Sequence, residues 1–324
     1  MRIEIATRLK PYSFLPHVFV QIPKSSYAAE IFPTRIRLYD VEGSEPRLVR
    51  EEMIPWKGPL RIMVVQDLEK EVVTVYSDQG RYHILPNLHI TFQKRVESTL
   101  SSDFERLSLG SHKKQEWESL KKHLDVNSIF PIWHRLGSLL NASYPRGEGG
   151  PFSLINEIRD SIESKQPENI LPLFEKLFLA GFKDMMVPRL IDDEFQGILQ
   201  EEGRGGSPLS LLQESASLIR SLFLTQEGEV LSILPNCPPD FFAGRLISSK
   251  VPPLGEVSFE WTKKMIRRLV FKSTYKGKIR FKFPSDIASF RLRKSKIEKG
   301  RIVSKEELVE INSGELYLLD RFQK

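Results

Sequence analysis

EGEVLSILPNCPPDFFAGRL, residues 227–246, joins a 15-residue apolar helical pattern to a basic, strand-rich segment. Upstream of it, Ser207 reads as an N-cap and Pro208 as the first helical position of LSLLQESASLIRSLF. Leu211, Leu212, Ile219 and Leu222 fall on one face of that helix, towards a core. Within the quoted stretch, ILP reads as the first strand of a new sheet and PPDFFAG as the turn that seats it. Downstream, EVSFEW, IRRLVFKS, KIRFKF and SFRLR are short runs rich in β-branched and aromatic residues. The junction marks a handover from helices to sheet, and the patterns on either side follow from it.

Working back towards the N-terminus, residues 101–225 carry the helical period. HKKQEWESLKKHL has Trp117, Leu120 and Leu124 on one face, with Ser111 as a candidate cap. NSIFPIWHRLGSLL has the stripe of a core-facing helix, and SLINEIRDSIES and ILPLFEKLFLAGF read as a helical pair. Before them, residues 1–100 hold HVFVQI, TRIRLYDV, LRIMVV, EVVTVYS, YHILP and LHITFQ, strands without intervening helices. The expected fold is therefore α+β and multidomain. An antiparallel β-domain occupies 1–100, a helical domain 101–225 and a C-terminal β-sandwich 226–324.

The 324 residues suffice for a sizeable core, and 28% charged against 40% hydrophobic residues excludes a disordered chain. No apolar run approaches the 18 residues of a membrane span, and MRIEIATRLKPYSF lacks the apolar core of a secretory leader. With one cysteine, Cys237, neither an intrachain disulfide nor a cysteine zinc site can form, and a cytoplasmic compartment is expected.

The net charge of +6 is concentrated: residues 261–301 hold fifteen Lys or Arg against two acids. Lys263, Lys264, Arg267, Arg268, Lys278, Arg280, Lys282, Arg291 and Arg293 make either a surface for nucleic acid or acidic partners, or the solvated face of a sheet. Strand parity favours the second, because Phe271, Phe281 and Phe283 alternate with the basic residues and point the other way. Nucleic acid is accordingly the less favoured partner. The six histidines, at 17, 83, 89, 112, 123 and 134, form no metal-ligand spacing. GRGG at 203–206 lacks the GK[ST] of a phosphate loop, and no GxSxG nucleophile motif occurs. No cofactor and no metal are expected.

The run ILPNCP, AGRL, EVSFEW and IRRLVFKS resembles the barrel-to-sandwich junction of (α/α)6-barrel glycoside hydrolases of the α-L-fucosidase type. Upstream, LIDDEFQGILQEEGRGGSPLSLLQESASLIRSLF is similar to the segment that carries a catalytic carboxylate in that family. The likeness covers residues 150–285. It implies six-hairpin-like helices followed by a closing sandwich. A full barrel needs twelve helices, whereas 101–223 holds five or six, so the resemblance implies a relative with a reduced barrel and a degenerate active site. Glu202 stands where the family carries its general-base aspartate, and Arg204 stands at an asparagine-like position.

Inverting hydrolysis needs a base and a partner acid. Glu202 and its neighbour Glu201 are the candidate bases, with Asp193 in the preceding turn and Glu148 in the RGEGG loop as the candidate acid. Trp117, Trp133, Arg204 and Phe242 are candidate saccharide contacts, although the tryptophans fit core packing equally. The function implied is glycan binding, with weak hydrolysis or none, on an oligosaccharide ligand. The alternative is a non-catalytic binding or scaffold protein that uses the basic C-terminal sheet.

Overall fold

The computed structural model describes residues 3–6, 8–93, 104–111, 114–194 and 196–324. His112, one of the six histidines, lies outside them. In chain order, the first strands are β1 (Tyr12–Ser13), β2 (Val18–Gln21), β3 (Tyr27–Ile31), β4 (Arg35–Asp40) and β5 (Arg47–Met53). They are followed by β6 (Ile62–Asp67), β7 (Val72–Ser77), β8 (Gly80–Ile84), β9 (Ile90–Thr91) and β10 (Arg106–Leu109). Then come the helices α1 (Trp117–His123), α2 (Val126–Ser138), α3 (Pro151–Glu163) and α4 (Pro167–Gly181), the short pair β11 (Phe182–Lys183) and β12 (Val187–Pro188), and α5 (Pro208–Phe223). The C-terminal strands are β13 (Leu224–Glu227), β14 (Val230–Ile233), β15 (Ala243–Val251), β16 (Gly255–Thr262) and β17 (Met265–Ser273). The last are β18 (Gly277–Lys282), β19 (Ser289–Arg293), β20 (Arg301–Ser304), β21 (Val309–Ile311) and β22 (Leu316–Gln323). The protein is a mixed α+β chain whose sheets are mainly antiparallel.

These elements group into two compact units where the sequence suggests three zones. A helical unit comprises Arg8–Leu100 and Lys113–Leu218; a sheet unit comprises Met1–Thr7, Ser101–His112 and Ile219–Lys324. Polar contacts tie the helices to the first hundred residues. Tyr12 N–H donates to the Gln115 carbonyl (2.9 Å). The Arg135 guanidinium of α2 reaches Glu71 (3.5 Å), which Lys24 also pairs (2.8 Å). The strand β10 leaves the helical zone altogether, since it pairs antiparallel with β15.

Besides the β11-β12 pair, the helical unit has two larger sheets among the described residues, ordered β2-β3-β4-β5 and β1-β6-β7-β8-β9. Its helical core centres on Trp133, fully buried, with the rings of Phe182 at 4.7 Å, Phe174 at 5.8 Å and Phe178 at 6.0 Å. The first helix starts later than Ser111 suggests. Gln115 and Glu116 are held extended beside Tyr12, so α1 begins at Trp117 with Glu116 before it. By contrast, Ser207 does cap α5: its Oγ accepts from Leu209 N–H at 3.3 Å.

In the sheet unit, a seven-stranded sheet, β10-β15-β16-β17-β22-β19-β20, and a four-stranded one, β13-β14-β18-β21, give a sandwich-like pair. Phe281 of the smaller sheet meets Phe271 (5.7 Å) and Phe290 (6.3 Å) of the larger, which closes an apolar core. ILP is not the first strand here. The chain passes from α5 directly into β13, turns at Gly228 (φ 58°) and returns as β14, which ends at Ile233. PPDFFAG then buries Phe241 against Phe223, and the Trp261 indole N–H donates to the Phe241 carbonyl (2.9 Å). Gly244 lies opposite Trp261, where a Cβ would come within 2.3 Å of the indole. The glycine of AGRL and the tryptophan of EVSFEW are thus one packed cross-strand pair.

Candidate functional site

The residues expected to carry chemistry do not converge on one place. Glu148, Glu202 and Arg204 are brought together. Glu148 N–H donates to the Arg204 carbonyl (2.9 Å) and Arg204 N–H to the Glu148 carbonyl (2.8 Å). The two glycine-rich loops cross backbone on backbone: a Cβ on Gly206, at φ 67°, would lie 2.2 Å from Gly147 N. Glycine serves close approach here, not flexibility. Glu148, Glu202 and Arg204 are exposed on this crossing.

Asp193 lies in a second cluster, organised by Arg189. That guanidinium donates to the carbonyls of Leu179 (2.9 Å) and Ala180 (3.1 Å) near the end of α4, and pairs with Asp192, Asp193 and Glu194. Burial alone would raise the Asp193 carboxyl, but Lys183 (2.7 Å) and Arg189 outweigh it and hold it below its ordinary value. An acid held ionised in this way is a poor proton donor. Of the candidate saccharide contacts, Trp133 is enclosed in the core with its indole N–H on Ser215 Oγ (2.7 Å), whereas Phe242 is exposed.

The basic residues of 261–301 occupy the sheet unit, where many are neutralised across strands. Arg245, Glu260, Arg268, Asp320 and Arg291 are successive neighbours in the ladders of β15, β16, β17, β22 and β19. Glu260 pairs with Arg245 and Arg268, and Asp320 with Arg291 (2.7 Å) and Arg293 (2.6 Å). Burial would raise the Asp320 carboxyl, yet the two guanidiniums hold it lowered. Lys278 faces Glu310 in register, while Arg280 and Lys282 lie opposite Val230 and Ser232. Lys263 and Lys264, both at positive φ (53° and 59°), form the tip of the β16–β17 hairpin, and Arg267 is exposed. Phe271, Phe281 and Phe283 are buried.

A further place was not singled out from sequence, apart from Trp117. In the helical unit a cavity of about 290 Å³ is floored by buried Val18, Trp117 and Met185. Its rim carries exposed Leu15 together with His17, Glu118, Lys121, Lys122 and Asp184. The spacing of α1 explains the rim: Glu118, Lys121 and Lys122 stand at i, i+3 and i+4, off the face that buries Trp117 and Leu120. Asp184 comes from the turn between β11 and β12, where it and Met186 adopt left-handed backbone (φ 42° and 62°). That costly conformation is held by three hydrogen bonds. The Trp117 indole N–H donates to the Asp184 carbonyl, Met185 N–H to the Phe19 carbonyl (3.0 Å), and Gln21 N–H to the Met185 carbonyl (3.3 Å).

Burial raises the Asp184 carboxyl above its ordinary value, and the positive charges of Lys121, Lys183 and His17 offset this only in part. Glu118 accepts a hydrogen bond from Ser13 Oγ (2.6 Å). His17 is oriented by Glu30 (2.9 Å) and by stacking on Phe32 (4.6 Å between centroids). The cavity therefore offers an apolar floor under a ring of mixed donors and acceptors, the composition of a small-ligand site. Nothing in KDMMV announces the turn, because left-handed backbone at Asp and Met has no sequence signature comparable to glycine.

Elsewhere, burial pushes the Cys237 thiol up to about 12, which leaves it un-ionised and unreactive at neutral pH. Among the described residues, no three His, Cys, Asp or Glu side chains cluster as metal ligands, and no helix is long and apolar enough to cross a membrane. No family model and no curated protein matches the chain.

Proposed function

We propose that this protein is a carbohydrate-binding relative of the glycoside hydrolases, holding one saccharide unit in the cavity over Trp117 without cleaving it. The observation that carries the reading is the cavity's lining: Leu15, Val18, Trp117 and Met185 supply apolar surface, and two ammonium groups, an imidazole and two carboxyls supply polar atoms. Sugar hydroxyls both donate and accept, so a rim that mixes these groups suits a neutral polyol better than an anion. The Asp184 carboxyl can accept from one hydroxyl while Lys121 and Lys122 donate to others. At about 290 Å³ the cavity suits a single ring, not an extended chain. No hydrolytic step is assigned, since Glu148 and Glu202 stand on the exposed loop crossing.

The test is a thermal-shift and calorimetric screen of the full chain against neutral and anionic saccharides. Neutral saccharide should raise the melting temperature by mass action, equally at about 50 and 200 mM salt, since few counterions are released. Asp184→Asn should abolish that shift. A shift with polyanions alone, vanishing with salt, would move the function to the exposed basic residues Lys263, Lys264 and Arg267.

A further inference from the structure

The sheet edges of the helical unit differ in how they end. β2 exchanges main-chain hydrogen bonds with Met185, β1 is bonded by Gln115, and β9 is two residues long. β5 runs seven residues at the end of its sheet, and among the described residues no main chain pairs its outer side. Leu48, Val49 and Met53 on it are 51%, 47% and 70% exposed. A long exposed edge of this kind is a ready template for another strand. Ile54 N–H donates to the Thr34 carbonyl (2.8 Å), on the β4 side. By strand alternation, Glu51 and Met53 therefore turn their N–H and C=O outward.

The charge pattern of β5 identifies what this edge takes. Two copies of one strand, paired antiparallel about a twofold axis, place one residue opposite its own copy. With Arg50 or Glu52 in that position, two like charges meet. With Val49 there, the bulge between Leu48 and Arg50 falls in the middle of the ladder. With Met53 there, Glu51 is set against Pro55, which has no N–H to give. Only Glu51 at the centre gives complementary neighbours. Arg50 then meets Glu52 of the second copy on one face, and Val49 meets Met53 of the second copy on the other, each contact occurring twice. Within one chain Arg50 already pairs with Glu52 (3.0 Å), so two copies close a ring of four alternating charges. The two Glu51 carboxylates also face each other, but each is held by its own Arg37 (2.6 Å), which keeps it below its ordinary value.

We propose that β5 is a dimer edge. Two copies of this chain pair antiparallel through residues 49–53, centred on Glu51, and join their four-stranded sheets into one continuous sheet. Five residues of pairing bury too little surface for a permanent dimer, so the association is reversible, with a dissociation constant on the order of 10 µM. No residue of β5 lines the cavity over Trp117, and the inference does not depend on the saccharide reading.

Sedimentation equilibrium of the full chain tests it, over roughly 1 to 300 µM, a range that brackets this affinity. The parent should pass from monomer to dimer, and amide hydrogen exchange at Glu51 and Met53 should slow at the upper end. Arg50→Glu and Glu52→Arg should each weaken self-association at least roughly tenfold, because each sets like charges opposite one another at both contacts. Arg50 is exposed and Glu52 half-buried at the sheet edge, so both variants should fold as the parent does, which circular dichroism checks. Mixed in equal amounts, the two variants should recover the dimer, since each presents the charge that the other lacks. A parent that stays monomeric over the whole range, a dimer indifferent to both substitutions, or a mixture that stays monomeric would overturn the proposal.

Discussion

The outer face of the seven-stranded sheet and the cavity over Trp117 both collect charge, and they treat it in opposite ways. On the sheet, Arg245, Glu260, Arg268, Asp320 and Arg291 alternate in sign across five strands, so each acid meets at least two guanidiniums. Around the cavity, Asp184 is half-buried on a strained turn, has no ion pair among the described residues, and sits above an apolar floor. One arrangement satisfies its charges internally and favours the folded state. The other leaves the Asp184 carboxyl without such a partner, although its neighbours His17 and Lys121 pair with Glu30 and Glu194. A high local density of lysine and arginine is thus a weak guide to a binding surface until the neighbouring strands are known.

The largest effect should come from breaking the closed arrangement. Asp320→Ala strands Arg291 and Arg293 on a mostly buried face and should cost about 2 kcal/mol, below the full penalty of a buried pair because the side chains keep some solvent. Urea unfolding measures it, and an unchanged midpoint would break the comparison. Next, Trp117→Phe keeps an aromatic floor but removes the indole N–H that holds the Asp184 carbonyl. It should cost about 1 kcal/mol in stability and a larger fraction of the saccharide affinity.

Two isosteric substitutions sharpen the contrast because their signs differ. Asp184 has a raised folded value, so between the unfolded value, about 3.9, and that raised value the folded state holds more protons. Stability then falls as pH rises through the window and stays lower above it. Asp184→Asn should therefore be neutral or slightly stabilising near pH 7. Asp320 has a lowered folded value, so its contribution is present above the unfolded value and is lost as pH falls through the folded one. Asp320→Asn should destabilise at pH 7 and flatten the acid limb of the stability curve. Urea unfolding across pH 3–8 checks both signs. The smallest effect belongs to Lys250→Ala, which removes an exposed pair with Glu256 and should change stability by less than about 0.5 kcal/mol.

Much of the architecture was legible because periodicity survives without context. The stripe of α2 (Ile129, Ile132, Trp133, Leu136) is buried as its spacing implies, and the alternation of β18 sends Ile279 and Phe281 inward and Lys278 and Lys282 outward. Strands without that alternation were missed. In β3, Ala28 and Ala29 are fully buried yet carry low β-propensity, and β5 is almost wholly exposed at a sheet edge, so no apolar face marks it. The start of α1 at Trp117 was also hidden, because Gln115 and Glu116 are drawn into β1 pairing by Tyr12, a residue a hundred positions away.

The sequence by itself determined the α+β class, a handover from helix to sheet close to residue 227, the cap at Ser207 and the inward parity of the C-terminal phenylalanines, all of which depend on neighbours a few residues apart. Only the tertiary structure decided which charges are closed and which are open. Asp320 neutralises arginines 27 and 29 positions before it, and Trp117 holds the turn at Asp184 from 67 positions away. Ion pairs and hydrogen bonds act over a few ångströms, and which residues come within that range is settled by how distant segments pack.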